Sequence, residues 1–585
     1  MKFKATWIIA LLFLGSVFYL LIVEIPGQRE KRIVKERENS IFSLNFSDLN
    51  SISIQNPDIK KKIELKKDKD KNWNIVSPVK DKGNDEEIRN LLATLENLRY
   101  KRIVEEDAED LDSYGIKKDG LRVIISDSKG KKQGILIGND APFGEALYIK
   151  KTMELNVYLV DKSIKSAIDK TVYDLRNKNI LAFSEDKLKE MNFTFPSEHI
   201  VLKKVGDNWK LTDPVQYDSD DEVLSEIFNS LRDLKIKEFV EEKGGNFGRF
   251  GLDVPSFTIK LMYLPPLLSE ELCFGNKDEQ KEGYYARKKG EKKIVLISSD
   301  FYKKVAKRPV DLRDHLILRF DRDKVEKIAL LSKDKEIVCE KKKNLWEIKK
   351  PKDLKADEFE ISNFLYRLST VRVKRFLKDG KLRESGLDNP GLKISLWREG
   401  DKNPVCLELG RKDKTEEEIL AKNSIHSTIF AIEEKIAKDI NKTLFDLRDK
   451  SLFGLDDDIS LDKIEILFPD DKSLVLVQKK KEWGVLFPKF CSLDKERLNT
   501  FIWDIRNWKF KKIFELNKLN HDILGFNSPN YQVKIWKKDD KKPIKVTVGK
   551  ESNPKENLFY SQSEYVDGII EVEAGFLKEM QKEVE

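Results

Sequence analysis

Apolar side chains recur at a helical spacing in four separate stretches of this 585-residue chain. In each stretch they occupy positions i, i+3, i+4, i+7 and i+10, which share one face of an α-helix. The other face of the first stretch is mainly acidic or uncharged, whereas helices that lie on membranes usually carry lysine and arginine there. We therefore expect four amphipathic helices that pack on protein cores. Their apolar residues are Ile88, Leu91, Leu92, Leu95 and Leu98; Leu224, Ile227, Phe228, Leu231 and Leu234; Ile361, Phe364, Leu365, Leu368 and Val371; and Leu498, Phe501, Ile502, Ile505 and Trp508.

A tryptophan precedes each predicted helix by the same distance, and a proline follows each tryptophan five residues later. Around the second tryptophan, residues 199–204 form one predicted strand, Gly206-Asp207 turns the chain, and residues 209–212 return until Pro214, which is typical of a β-hairpin. Landmarks that recur at a fixed spacing indicate an internal repeat. The tryptophans are Trp73, Trp209, Trp346 and Trp483, separated by 136, 137 and 137 residues.

Two glycines follow the helix in every copy, and the second of each pair closes an alternating strand. Glycines at such places predict turns that need a positive φ. Each copy thus predicts a hairpin, a helix, four or five strands and a short final helix, which is an α+β fold with a largely antiparallel sheet. The first glycines are Gly115, Gly251, Gly386 and Gly525, and the second are Gly138, Gly275, Gly410 and Gly549.

The repeat length, about 137 residues, is enough for a domain that buries its own core. The sequence therefore predicts four tandem domains behind an N-terminal segment. The predicted divisions are a transmembrane anchor at 1–23, a charged linker at 24–40, and repeats at 41–182, 183–318, 319–454 and 455–585.

The N-terminal segment is uncharged from Ala5 to Val23, and nineteen helical residues span roughly the 30 Å core of a bilayer. A cleaved signal peptide is the alternative, but its apolar region is normally shorter and ends in small residues. We expect an uncleaved anchor. Lys2 and Lys4 favour a cytoplasmic N-terminus, whereas five basic residues within 29–37 favour the opposite orientation. Because large domains can translocate regardless of charge, this rule leaves the topology open.

Charge and cysteine content change the picture little. The chain has 111 basic and 103 acidic residues, a net charge of +8, and these charges are well mixed. Lysine clusters at 60–62 and 341–343 lie beside predicted hairpins with acids nearby, so we expect solvated faces and no nucleic-acid partner. The four cysteines are scattered, and the first repeat has none, so no disulfide framework defines the fold.

The sequence contains no phosphate-binding, dinucleotide-binding, zinc-protease or nucleophile-elbow motif. The four histidines, His199, His315, His426 and His521, are too dispersed to suggest a metal cluster. Glu105-Glu106 and Glu241-Glu242 are paired carboxylates that could do acid/base work, but the third and fourth repeats lack them, so we expect an exposed acidic face. We expect no catalytic, cofactor-binding or metal site.

An Asp-Leu-Arg motif followed by Asn or Asp ends the first three repeats: Asp174-Leu175-Arg176, Asp311-Leu312-Arg313 and Asp446-Leu447-Arg448. The fourth repeat instead ends with a predicted helix at 574–584. A repeated active-site ion pair is one interpretation. We prefer a connector, in which the Asp and Arg bond across the junction to the next domain, because the motif is missing only where no further repeat follows in this sequence.

Together, the Trp-x4-Pro hairpin end, the glycine–leucine step, the strand ending in glycine and the Leu-Arg-Asp junction resemble the bacterial family called domain of unknown function 4340. The resemblance covers four copies from Ile41 to the C-terminus; the fourth lacks the junction motif, and the third has Ser385 where Tyr114 or Phe250 stands. It implies one N-terminal membrane helix and an extracytoplasmic accessory role beside gliding-motility-type ABC transporter components. No catalytic residue is known for the family, so it implies none here.

Two functions remain open from the sequence. The first is a non-enzymatic, membrane-anchored extracytoplasmic scaffold that docks on a membrane complex, such as an ABC transporter, or on an envelope component. The second is an envelope hydrolase or glycan-active enzyme with a site between repeats. We favour the scaffold.

Overall fold

The computed structural model describes residues 39–57, 62–142, 144–266, 269–333, 335–377, 385–412, 417–426, 428–455, 459–480, 482–488, 493–514 and 523–584. The predicted anchor at 5–23 lies outside the described residues, as does the predicted linker up to residue 38. Among the helices that the structure describes, none has both the length and the apolar character needed to cross a bilayer.

In the described part of the chain the strands form four antiparallel sheets, three with nine strands and one with eight. The chain divides into two compact units, residues 1–314 and 315–585, and each unit contains two of the sheets. The predicted fold of repeated antiparallel sheet domains is thus confirmed in outline. The predicted boundaries of the single repeats stay predictions.

The first unit contains sheets 1 and 2. Sheet 1 consists of β1 (Leu49–Gln55), β2 (Ile63–Lys67), β3 (Trp73–Ser77), β4 (Asp81–Lys82), β5 (Tyr100–Glu105), β6 (Arg122–Asp127), β7 (Lys132–Asp140), β8 (Ala146–Lys151) and β9 (Val157–Asp161), with helices α1 (Asp85–Glu96), α2 (Ser163–Ile168) and α3 (Val172–Leu175). Sheet 2 consists of β10 (Leu188–Phe195), β11 (Glu198–Val205), β12 (Asn208–Asp213), β13 (Tyr217–Asp218), β14 (Glu238–Glu241), β15 (Phe257–Tyr263), β16 (Ser269–Asp278), β17 (Gly283–Lys288) and β18 (Ile294–Ser298), with α4 (Asp221–Arg232), α5 (Ser299–Val305) and α6 (Pro309–Leu312).

The second unit contains sheets 3 and 4. Sheet 3 consists of β19 (Val325–Ser332), β20 (Lys335–Lys342), β21 (Leu345–Lys350), β22 (Leu354–Lys355), β23 (Arg375–Phe376), β24 (Leu392–Arg398), β25 (Val405–Lys412), β26 (Glu418–Asn423) and β27 (Phe430–Glu433), with α7 (Glu358–Thr370), α8 (Glu434–Ile440) and α9 (Leu444–Leu447). Sheet 4 consists of β28 (Leu461–Leu467), β29 (Ser473–Lys479), β30 (Glu482–Phe487), β31 (Phe510–Phe514), β32 (Tyr531–Lys537), β33 (Ile544–Asn553), β34 (Leu558–Ser563) and β35 (Ile569–Glu573), with α10 (Lys495–Arg506) and α11 (Gly575–Val584).

Strand order is the same in every sheet, except that sheet 4, among the residues described, has no counterpart of the edge strand β4. In sheet 1 it is β4-β3-β2-β1-β6-β7-β8-β9-β5, so the strand after the long helix returns to the far edge beside β9. The predicted hairpin is real, but it belongs to a meander of four strands that precedes the helix in the first three sheets. The peptide bond before the proline that follows each repeat tryptophan is cis.

The four predicted helices exist, and they bury the predicted faces. In α1, for example, Ile88, Leu91 and Leu95 are almost fully buried against sheet 1. Each of these four helices begins after an Asn or Asp whose side chain accepts at least one hydrogen bond from a first-turn amide, which satisfies donors that lack an intrahelical partner. These N-caps are Asn84, Asp220, Asp357 and Asp494.

The two glycine sets have different roles. The first set has φ between 68° and 82°, as predicted. The prediction of positive φ for the second set is wrong, because these glycines lie inside strands β7, β16, β25 and β33. A Cβ at Gly275 would lie 2.0 Å from the carbonyl oxygen of Phe250, which precedes Gly251, and the other three sheets show the same conflict at 2.2–2.4 Å. The second glycine therefore permits a close approach of loop and strand.

Candidate functional site: the arginine junctions

The Asp-Leu-Arg motif is positioned by a short capped helix at the end of each repeat that carries it. In the first repeat, Thr171 and Asp174 form a capping box around α3, with the Thr171 amide donating to Asp174 Oδ2 at 2.8 Å. Leu175 is fully buried in the core of sheet 1, so Arg176 leaves the domain at a fixed point. The predicted bond of the motif aspartate across the junction is wrong, because this carboxylate caps its own helix.

Arg176 does reach the next sheet. Its Nε donates to Asp81 Oδ2 of sheet 1 at 2.9 Å, and its second terminal nitrogen donates to Glu242 Oε2, just after β14 of sheet 2, at 3.2 Å. Its guanidinium also lies 3.4 Å from the ring centroid of Phe239 in β14. Only 2% of the side chain is exposed, so these contacts replace its hydration.

Lys293 of sheet 2 completes the cluster, since its Nζ lies 2.8 Å from Asp81 Oδ2. Two cations therefore face two carboxylates, which is the balance that buried charges require. Burial raises the pKa of the Asp81 carboxyl, but hydrogen bonds and charge from Lys293 and Arg176 outweigh burial and hold that pKa below its usual value. Asp81 is thus ionised at neutral pH.

The linker backbone joins both sheets as well. The Asn177 amide donates to the Lys82 carbonyl in the edge strand of sheet 1, at 2.9 Å. One residue later, the Lys178 carbonyl accepts from the Ile236 amide of sheet 2, at 2.8 Å. Farther along, the Ala182 amide donates to the buried carboxylate of Glu270, at 2.7 Å. The linker is therefore hydrogen-bonded to both edges instead of serving as a loose tether.

A cleft of about 390 Å³ opens beside this linker. Its lining includes Asp81, Lys288, Glu291 and Lys293 together with the linker residues 179–182. Lys288 is already paired with Glu270, and Lys293 is paired with Asp81. Both of these lysines are therefore already neutralised by carboxylates at or beside the junction.

The junction of sheets 3 and 4, in the second unit, uses the same backbone with different side chains. Thr443 and Asp446 again form a capping box, and Leu447 is fully buried. Arg448 is 8% exposed, its guanidinium lies 4.9 Å from the Phe510 ring of sheet 4, and its Nε donates to the Asp449 carbonyl at 3.4 Å. Burial lowers the pKa of Arg448, with the Asp449 charge opposing it. A guanidinium still keeps its proton at physiological pH.

Nearby, Lys509 of sheet 4 donates to Asp357, the N-cap of α7 in sheet 3, at 3.0 Å. The remaining copy of the motif, the second along the chain, lies at the end of the first unit. There Asp311 accepts from the Arg308 amide at 2.9 Å, Leu312 is fully buried, and Arg313 lies 5.5 Å from the Tyr217 ring.

The carboxylate pairs noted in the sequence separate in the structure. Glu105 accepts from the Tyr114 hydroxyl at 2.6 Å within sheet 1, whereas Glu242 binds Arg176 across the junction. Glu242 is 39% exposed, as expected for an acidic face, but it also binds the buried Arg176, which the sequence did not predict. Sequence reasoning also missed Asp81, Phe239 and Lys293, because none of them belongs to a motif that the sequence analysis identified. Among the described residues, no group of three or more His, Cys, Asp or Glu side chains could hold a metal ion.

The family described as Domain of unknown function (DUF4340) matches residues 73–208, 209–390 and 346–489. These matches begin at the first three repeat tryptophans, and together they extend over more than half of the chain. The chain therefore belongs to this family and carries tandem copies of its domain. Comparison with curated proteins and with solved structures gave no match.

Proposed function

We propose that this protein is a membrane-anchored, non-enzymatic, extracytoplasmic repeat protein that acts as a scaffold or accessory component of a membrane complex, such as an ABC transporter. The observation that carries the proposal is the junction of sheets 1 and 2. The linker is hydrogen-bonded to both sheet edges, and a buried arginine bonds to both sheets. These contacts restrict the movement of one domain relative to the next. A scaffold needs such restriction, because it has to hold its domains in a fixed order for a partner to bind.

The alternative, an envelope hydrolase or glycan-active enzyme, would need an acid or base in a cleft between repeats. Asp81, one of the two carboxylates that line the junction cleft, has a lowered pKa and is bound to two cations. A general acid at neutral pH needs the opposite shift. Asp81 therefore does not suit the role of general acid in this cleft, and its two cations already occupy it.

Two measurements test the proposal. A topology reporter fused after Glu585 should report an extracytoplasmic C-terminus, and deletion of residues 5–23 should release the protein from membranes. Purification of the full chain in mild detergent should then retain a transporter or envelope component. A cytoplasmic reporter signal, or glycan hydrolysis that is lost on substitution of Asp81, would contradict the proposal.

A further inference from the structure

The segment that enters each sheet forms the same hydrogen bond. In all four sheets, the amide of the residue 27 positions after the repeat tryptophan donates to a carbonyl of the incoming chain, at 2.6–3.0 Å. In three of them an arginine stands two residues before the acceptor, and in the sequence Arg37 stands at that position before Asn39. The pairs are Tyr100 with Asn39, Ile236 with Lys178, Val373 with His315, and Phe510 with Lys450.

The receiving strands of sheets 1 and 2 correspond residue by residue. In β5, Ile103 pairs with Tyr158, a bulge follows, and Glu105 pairs with Val157. In β14, Phe239 pairs with Val295, a bulge follows, and Glu241 pairs with Ile294. Glu106 of sheet 1 therefore occupies the position of Glu242, the residue that binds Arg176 in sheet 2.

The surroundings of Glu106 suit a basic and partly apolar segment. The loop from 105 to 112 contains six exposed acidic residues, and none of them forms an ion pair within the described part of the chain. The turn between β8 and β9 exposes Met153 by 87% and Leu155 by 56%, and the Leu155 carbonyl accepts from the Ala108 amide in the acidic loop. In sheet 2 the same turn supplies Lys293 to the preceding sheet.

We propose that residues 29–37 of this chain dock on this surface of sheet 1, with Arg37 bound to Glu106. The segment carries five basic and two acidic residues, which complements the acidic loop, and its apolar Ile33 and Val34 complement Met153 and Leu155. Glu106 of sheet 1 would then bind the arginine of the segment before it, as Glu242 of sheet 2 binds Arg176. The proposal does not depend on membrane anchoring. If residues 5–23 do span a bilayer, it couples the first sheet directly to the anchor.

Trypsin cleavage of the purified full chain tests this docking, because a bound segment must open before it is cut. Cleavage after Lys31 and Arg32 is followed by mass spectrometry. Glu106→Gln should speed this cleavage about threefold to fivefold, the effect expected from losing a partly exposed ion pair. Glu109→Gln, an exposed acid in the same loop without a counterpart to Glu242, is the matched control and should leave the rate unchanged. The charge exchange Arg37→Glu with Glu106→Arg should restore slow cleavage that either single variant loses.

Three outcomes would overturn the proposal. One is wild-type cleavage as fast as that of a free peptide of residues 24–40, which would mean that the segment is not docked. Another is equal acceleration by Glu106→Gln and Glu109→Gln, which would reduce the contact to unspecific charge attraction. The third is a charge exchange that restores nothing.

Discussion

The two junctions, one in each compact unit, share a backbone but stabilise a buried arginine in different ways. Arg176 contacts two carboxylates, Asp81 and Glu242, and a phenylalanine ring, and Lys293 also pairs with Asp81. Arg448 stacks on Phe510 and bonds to a carbonyl oxygen. At the position of Asp81 the third repeat has Leu354, so the carboxylate partner is absent there. The shared parts are the capped helix and buried leucine; the charge network is particular to the first junction.

The largest contrast should come from removing each arginine. Arg176→Ala leaves Asp81 with Lys293 alone and leaves Glu242, which is 39% exposed, without a cation, so it should reduce local stability by about 2–3 kcal/mol. Arg448→Ala loses ring stacking and packing and should cost about 1–2 kcal/mol. Hydrogen exchange of the peptides covering residues 172–182 and 444–454 measures both losses. Equal losses at the two junctions would mean that the ion cluster adds nothing to the stability of the first.

A substitution at the second glycine should instead affect both units alike. Gly275→Ala and Gly549→Ala place a Cβ at 2.0 Å and 2.2 Å from a backbone carbonyl oxygen, so backbone must shift, at about 1–3 kcal/mol each. Thermal unfolding of the full chain measures the effect. Gly245→Ala, where a Cβ meets nothing within 4 Å, is the control and should be close to neutral. If only one of the two substitutions lowered the unfolding temperature, the close approach of loop and strand would differ between the two units.

Acid should weaken the first junction through Asp81. Because the folded-state pKa of Asp81 is lowered, its stabilisation is present above its unfolded pKa, about 3.9, and is lost as pH falls through the folded value. Lys293→Met removes one cause of the lowering and should move the acid-induced loss of exchange protection in residues 172–182 to higher pH. Asp81→Asn should remove that contribution to the pH dependence. An unchanged acid profile in both variants would contradict the assigned role of Asp81.

The smallest effect is expected at the lysine of the second junction. Lys509 is half-exposed where it meets Asp357, so water screens the pair and Lys509→Ala should cost less than about 1 kcal/mol. Lys293→Ala, at a more buried pair, should cost more. Urea unfolding at low and high salt compares the two variants. If Lys509→Ala lowered the free energy of unfolding by more than about 1 kcal/mol at both salt concentrations, the Lys509–Asp357 pair would be a strong one, and the expected difference between the units would be wrong.

Local patterns predicted the helices because burial of one face at i, i+3, i+4 and i+7 is visible in the sequence. The hairpins and the repeat were visible for the same reason, as spacing between nearby residues. The N-caps could also have been found, since an Asn or Asp stands eleven residues after every repeat tryptophan. Both glycine sets were found, but the reason for the second set was predicted wrongly. The carbonyl oxygen that excludes a Cβ at Gly275 belongs to Phe250, which is distant in the sequence.

The sequence by itself determined the number of repeats, their period and the faces that enter each core, because these depend on the spacing of residue types along the chain. Only the tertiary structure decided which groups meet Arg176. Its two carboxylates lie 95 and 66 residues away, in different sheets, and only sheet pairing brings them together. The role of the motif aspartate was likewise decided by the structure. It caps its own short helix, and only the arginine of the motif contacts the next sheet.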